Sequence, residues 1–148
     1  MRKTVYSLMA LSLILVCCCC KTSKKNVKSE KFPLIGTQWN LVALNGEEIS
    51  HEFALRPFIT FDSAGAAQGS LGCNSFFGTY EISKKHKMTI EYQGATKRLC
   101  QKMDVEKQFI SALKQDINQY QIKGNELILF AGDKEIMRFE GVDLNAVE

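Results

Sequence analysis

Histidine is almost missing from this chain: His51 and His86 are the only two among 148 residues. Neither belongs to an H-x-x-x-H pair. The cysteines form one consecutive run, 17–20, and two distant singles, not the two separated pairs of a structural zinc site, so a metal centre has no support. Phosphate-cradling loops are absent as well. Gly69, Gly72 and Gly78 lie close together, but no GxxxxGK[ST] and no strand-to-helix GxGxxG accompanies them. The longest apolar run, Val5–Val16, falls well short of the about 20 residues that span a bilayer. Positive charge is scarce where a nucleic-acid binder would need it. Of the 19 basic residues, Arg2, Lys3 and five lysines between 21 and 31 precede Phe32, which leaves 12 basic against 15 acidic residues over 32–148. A net-negative folded region argues against nucleic acid as a partner. The 45% hydrophobic and 24% charged content is that of an ordinary globular chain, and the length allows one domain plus an appendage.

The appendage reads as an address. Arg2 and Lys3 precede the uncharged, mainly apolar stretch VYSLMALSLILV (5–16), which has the length of a signal-peptide core. A short apolar run that stops at a cysteine resembles the bacterial lipobox, so 1–17 is assigned as a lipoprotein signal peptide. Cys18 is the expected lipidated residue, with Leu15 at −3 and Cys17 as the small residue at −1. Gly, Ala or Ser is more usual at −1, and Cys19 or Cys20 stay open as acceptors. The competing reading is a signal cleaved to release a soluble secreted protein. Residues 18–31, with Lys21, Lys24, Lys25, Lys28 and Lys31, form a self-repelling tether without apolar periodicity. Fully extended, it reaches roughly 45 Å. Its lysines suit anionic headgroups, and equally a solvated spacer. The expected location is the bacterial envelope, lipid-anchored to a membrane, at the outer membrane or facing the periplasm.

From Phe32 to Glu148 strand signals dominate. Trp39–Leu44 ends at the turn dipeptide Asn45-Gly46, and Phe58–Phe61 is β-branched and aromatic before a loop at 62–65. In 76–82, Phe76, Gly78, Tyr80 and Ile82 alternate onto one side, and Met88, Ile90 and Tyr92 do so in 87–92 after a polar turn at 83–86. Strands at 120–123, 126–130 and 135–140 are joined by Gly124-Asn125 and Gly132-Asp133, as in an antiparallel meander. Between the two groups, 104–115 places Val105, Phe109, Ala112 and Leu113 at helical spacing with charge opposite. Strands, one helix, then strands, without βαβ alternation, predicts an α+β domain of mainly antiparallel β: a compact sheet or small barrel with one packed helix.

These residues resemble the META/HslJ domain family. Gly36-Thr37-Gln38-Trp39-Asn40-Leu41 is similar to its GxxWxL opening, and Leu71–Tyr80 contains its GCNxFxGxY block as Gly72, Cys73, Asn74, Phe76, Gly78 and Tyr80. Thr96–Cys100 is similar to its T-x-x-x-C segment, where Met is more usual near Leu99. Glu106, Phe109 and Leu113 match its E-x-x-F-x-x-x-L helix, and Leu127, Leu129 and Phe139 its closing strands. The likeness runs over about 34–142. It implies a small, partly open β-barrel with one helix, no known catalytic residues and a general link to envelope stress and drug tolerance.

Read individually, the conspicuous residues point to structure. Cys73 and Cys100 are the only cysteines of an exported domain, which predicts a disulfide; two buried free thiols are the other reading. A bridge closing a loop of roughly 28 residues contributes about 3.5 kcal/mol in the chain-entropy model. A nucleophilic Cys73 would need a base, and neither histidine sits in a partner motif. The glycines are expected to permit sharp bending or close backbone approach, Asn74 to bond nearby backbone, and Trp39 to plug the core. Glu47 and Glu48 are adjacent beside a turn, a poor arrangement for paired acid–base carboxylates. Lys97-Arg98 reads as solvated surface. The expected function is therefore a non-catalytic, membrane-anchored module, without cofactor, that contacts another envelope protein. The alternative is a barrel that binds a lipid or another small apolar ligand. Replacing all four cysteines 17–20 by Ser is expected to shift the protein from membrane to soluble fractions. Mass analysis of the mature N-terminus is expected to find an acylated Cys18; cleavage beyond Cys20, or an unmodified cysteine there, contradicts this.

Overall fold

Apolar alternation and turn chemistry dictate most of the pairing. In the computed structural model, residues 32–50, 55–83, 86–100 and 104–142 are described; the signal peptide, Cys18, the tether and His51 lie outside them. Nine strands follow in chain order, with one helix after the sixth: β1 Gln38–Leu44, β2 Glu47–Glu48, β3 Phe58–Phe61, β4 Ala66–Ser70, β5 Ser75–Ile82, β6 Met88–Ala95, α1 Asp104–Leu113, β7 Gln119–Lys123, β8 Glu126–Ala131 and β9 Lys134–Val142. The sheet order is β6-β5-β4-β3-β1-β9-β8-β7, with β2 added beside β1. Every strand pairing among the described residues is antiparallel, as expected. The sheet curls into a partly open barrel. Its two edge strands approach where the Met88 amide donates to the Asn118 carbonyl at 3.3 Å, and α1 packs against the sheet.

Asn45 and Gly46 both take positive φ, 51° and 87°, the geometry of a two-residue hairpin turn whose twist matches the strands it joins. Glu47 and Glu48 beyond it are exposed. The core gathers Trp39, Ile59, Phe61, Phe109, Leu127, Leu129 and Phe139, each at most 1% exposed. Burying such side chains contributes about 1.5–3 kcal/mol each. Trp39 is the expected plug, and its indole N–H donates to the Leu34 carbonyl at 3.1 Å, so burial leaves no orphan donor.

Three features depart from the sequence reading. Strand β4, AAQGS, has neither β-branched nor aromatic residues, yet lies in the sheet between β3 and β5. Its smallness is the reason it fits. Ala67 is fully buried opposite Gly78, and a Cβ at Gly69 would collide with the Phe58 carbonyl oxygen. Gly78 is under the same constraint from the Glu91 carbonyl. Ile82, expected inward with Phe76, Gly78 and Tyr80, is 43% exposed. It ends β5 past the edge of the core, and its cross-strand partner Met88 takes the buried place. The helix closes at Leu113, and its last turn tightens through Gln115 N–H to the Ala112 carbonyl.

Candidate functional site

The β4–β5 connection is a tight turn. The Leu71 amide donates to the Asn74 carbonyl at 2.7 Å, the Gly72 amide donates to Ser70 Oγ at 3.1 Å, and Gly72 takes φ 109°. This geometry points the Asn74 side chain into the structure, where the residue is only 1% exposed. Each part of its amide then finds a partner. Nδ2 donates to Glu106 Oε1 at 2.8 Å and to the Arg98 carbonyl at 3.1 Å. Oδ1 accepts from the Arg98 amide at 2.7 Å and from Thr96 Oγ1 at 2.8 Å. Its backbone N–H donates to Glu106 Oε2 at 2.9 Å. The expectation of nearby backbone partners is corrected here: Asn74 bonds backbone, but of Arg98, 24 residues on, and it bonds Glu106, 32 residues on.

Glu106 stands in the first turn of α1 and is 5% exposed. A buried carboxylate is costly unless its oxygens are occupied, and the two Asn74 donors do that, one per oxygen. Thr96 adds a second join. Its hydroxyl accepts from the Ser75 amide at 3.1 Å while its own amide donates to the Ser75 carbonyl at 2.9 Å. The Cys73–Cys100 disulfide, with Cα atoms 6.4 Å apart, ties the same two segments covalently. The β4–β5 turn, the segment 96–100 and helix α1 are thus locked at one end of the barrel.

Beside this lock lies a cleft of about 410 Å³, lined by Tyr92, Gly94, Ala95, the 96–99 segment, Glu106 and Ile110. Lys114 Nζ sits 5.2 Å from the Tyr92 ring centroid. The Tyr92 hydroxyl is held above the usual tyrosine range, first by burial and then by the Glu106 charge. Leu99, held between Arg98 and Cys100, is 98% exposed. Lys97 and Arg98 are exposed as expected, although the Arg98 backbone is bound inside. With the Asn74 and Glu106 polar atoms committed to each other, the cleft offers an apolar floor and a cationic rim.

Of the signature residues, Gly72, Cys73, Asn74 and Phe76 gather at this end, where the Phe76 ring meets Phe109 edge-on at 5.7 Å. Trp39 and Tyr80 serve elsewhere. Tyr80 donates from its hydroxyl to the Asp62 carbonyl at 2.6 Å and packs edge-on to Phe61 at 4.9 Å. Burial, followed by the Asp62 and Tyr120 charges, raises its pKa. Among the described residues no group of His, Cys, Asp and Glu is placed to hold a metal ion. Sequence reasoning put charge on the outer face of the helix and so missed the inward turn of Glu106. The signal was present: Glu106, Phe109 and Leu113 share one helical stripe.

Reductant is expected to lower the wild-type melting temperature by roughly 8–25 °C, the equivalent of about 2–4 kcal/mol, and to leave Cys73→Ser nearly unmoved. A wild-type protein indifferent to reductant would contradict the bridge. Asn74→Ala removes a donor from a buried carboxylate and is expected to cost about 3–5 kcal/mol in urea denaturation. A loss below about 1 kcal/mol would mean that Glu106 finds other partners.

Residues 32–143 match the META domain family. An NMR structure of a protein from Burkholderia xenovorans is similar in fold, at 21% identity and a TM-score of 0.57 over 74% of this chain and 83% of that one. A second NMR structure has 21% identity and a TM-score of 0.52 over 70% and 87%. A crystal structure of a DUF4847 family protein from Bacteroides vulgatus aligns over 57% of each chain at 26% identity, with a TM-score of 0.44. No curated protein matches the chain. With the family match extending from Phe32 to just past the last strand, the chain belongs to the META domain family.

Proposed function

We propose that the protein is a lipid-anchored bacterial envelope protein whose META domain is a non-catalytic accessory module that docks on another envelope protein. The observation that carries the reading is Leu99. A leucine exposed to 98% gains nothing from the fold, yet its loop is held by the Asn74–Arg98 bonds on one side and the disulfide on the other. A loop whose backbone is already fixed loses little further entropy when it is covered, which favours its use as a contact surface. The adjoining floor of Tyr92, Ala95 and Ile110, with Lys97 and Arg98 at the rim, fits an acidic, apolar-studded protein surface. The signal core and cysteine run at the N-terminus support the anchor and the envelope location.

The same cleft supports a second reading, a small apolar ligand. Against a carrier role stands the filled interior: Trp39, Phe61, Phe109 and Phe139 occupy the space a lipid would need. A photo-cross-linker at position 99 in intact cells, with position 47 as the control, tests the leading proposal. A discrete protein adduct at 99, absent at 47 and lost when Ile110→Asp is added, is the expected result. No adduct, together with a lipid retained in native mass spectrometry, would replace it with the ligand reading.

A further inference from the structure

A second cleft, of about 460 Å³, opens where the domain begins. Phe32, Pro33 and Leu34 form one wall, Tyr120, Gln121 and Ile122 of β7 the other, and His86 the rim. We propose that this cleft is the surface by which the domain rests on the anionic phospholipid headgroups of the membrane that carries its anchor. The inference builds on the lipid-anchored reading above and adds which face of the domain meets the lipid.

Position is the first argument. About thirteen residues separate Cys18 from Phe32, so a membrane-bound anchor keeps Phe32 within roughly 45–50 Å of the bilayer at all times. Any weak affinity at the tether's exit is thereby multiplied by a high effective concentration. In an antiparallel sheet alternate connections fall at one end, so the loops at 62–65 and 124–125, residues 83 and 86–87, and the end of β9 lie at the end where β1 begins. The disulfide-closed turn 71–74 and the 96–100 segment fall at the other. Docking through the Phe32 end therefore turns Leu99 toward solvent.

Chemistry is the second. Phe32 is half-buried with its ring edge-on to Trp39 at 6.4 Å, so the cleft wall is built on the core. Tyr120 and Ile122 are also half-buried, and the His86 ring meets Tyr120 edge-on at 5.3 Å. Aromatic rings with a polar tip favour the headgroup layer, where one side is apolar and the other wet. Lys87 follows His86 and Lys123 follows Ile122, both exposed, and the tether adds five lysines. Two nearby carboxylates are engaged by the protein itself: Asp62 Oδ1 accepts from the Ala64 and Ala66 amides, and Glu140 Oε1 from Asn125. Among the described residues at this end Lys87 and Lys123 stand against Asp62, Glu81, Glu126 and Glu140, so the cationic excess offered to the lipid comes from the five tether lysines beside an aromatic cleft.

The test uses the full-length acylated protein in vesicles of phosphatidylcholine alone or with added phosphatidylglycerol. Flotation reports the anchor, and amide hydrogen exchange at 32–36 and 119–123 reports docking. The expected result is flotation with both lipids, with exchange in those segments slowed about tenfold only by phosphatidylglycerol. Lys87→Gln/Lys123→Gln should still float and melt as the wild type does while losing that protection. Flotation with exchange rates equal in the two lipids, or protection that survives the double variant, overturns the docking and leaves the anchor standing. A protein that floats with neither overturns the anchor and the docking together.

Discussion

Glu106 carries a carboxylate into the wall of the barrel, and Asn74 makes that placement tolerable. The asparagine offers two donors to the two carboxylate oxygens and uses its remaining capacity on Arg98 and Thr96. Few side chains present donors and an acceptor in one rigid plane, so aspartate or leucine at position 74 would leave one of these partners unpaired. The tight turn 71–74 and the disulfide exist around this node: one aims the amide inward, the other keeps the 96–100 segment within its reach. The polar network ties the entry of α1, which no strand pairing reaches, to the two segments that flank the paired strands β5 and β6.

Alignment matters because α1 is part of the core. Phe109 meets Phe76 of β5 at 5.7 Å and Phe139 of β9 at 6.0 Å, so one helical side chain bridges strands far apart in the sheet order. Shifting the helix by a fraction of a turn would break these contacts, since packed interiors have little spare volume. Glu106, one turn before Phe109, sets the helix position at its entry. Small residues do the complementary work in the sheet. Ala67, Gly69 and Gly78 let β3, β4, β5 and β6 approach closely enough to curl around the aromatic cluster.

The barrel is chemically two-ended. One end is disulfide-closed and bears an exposed leucine beside an apolar cleft; the other receives the chain and bears an aromatic cleft. The proposed anchor and the proposed partner surface would lie at opposite ends. Such a division would let the proposed tether hold the domain without covering the proposed partner surface.

Local patterning was enough to read eight of the ten elements, because apolar alternation and turn dipeptides such as Asn45-Gly46 act over a few residues. It also carried the cysteine pair and the role of Trp39. Strand β4 escaped because its sequence has no strand signal; its conformation follows from its pairing with β3 and β5, with Ala67 between Phe61 and Gly78 and the Thr60 hydroxyl donating to the Gln68 carbonyl. The two-residue β2 is likewise a product of the hairpin that makes it. Family signature residues were legible as a string, but Asn74, Cys73 and Glu106 became one site only when turn, loop and helix met. The sequence by itself determined which residues alternate, turn and avoid water, since those are short-range preferences of each side chain. The tertiary structure decided that a charged residue on the helix turns inward and that an asparagine 32 positions away answers it, since a buried hydrogen bond depends on position in space, not on order along the chain.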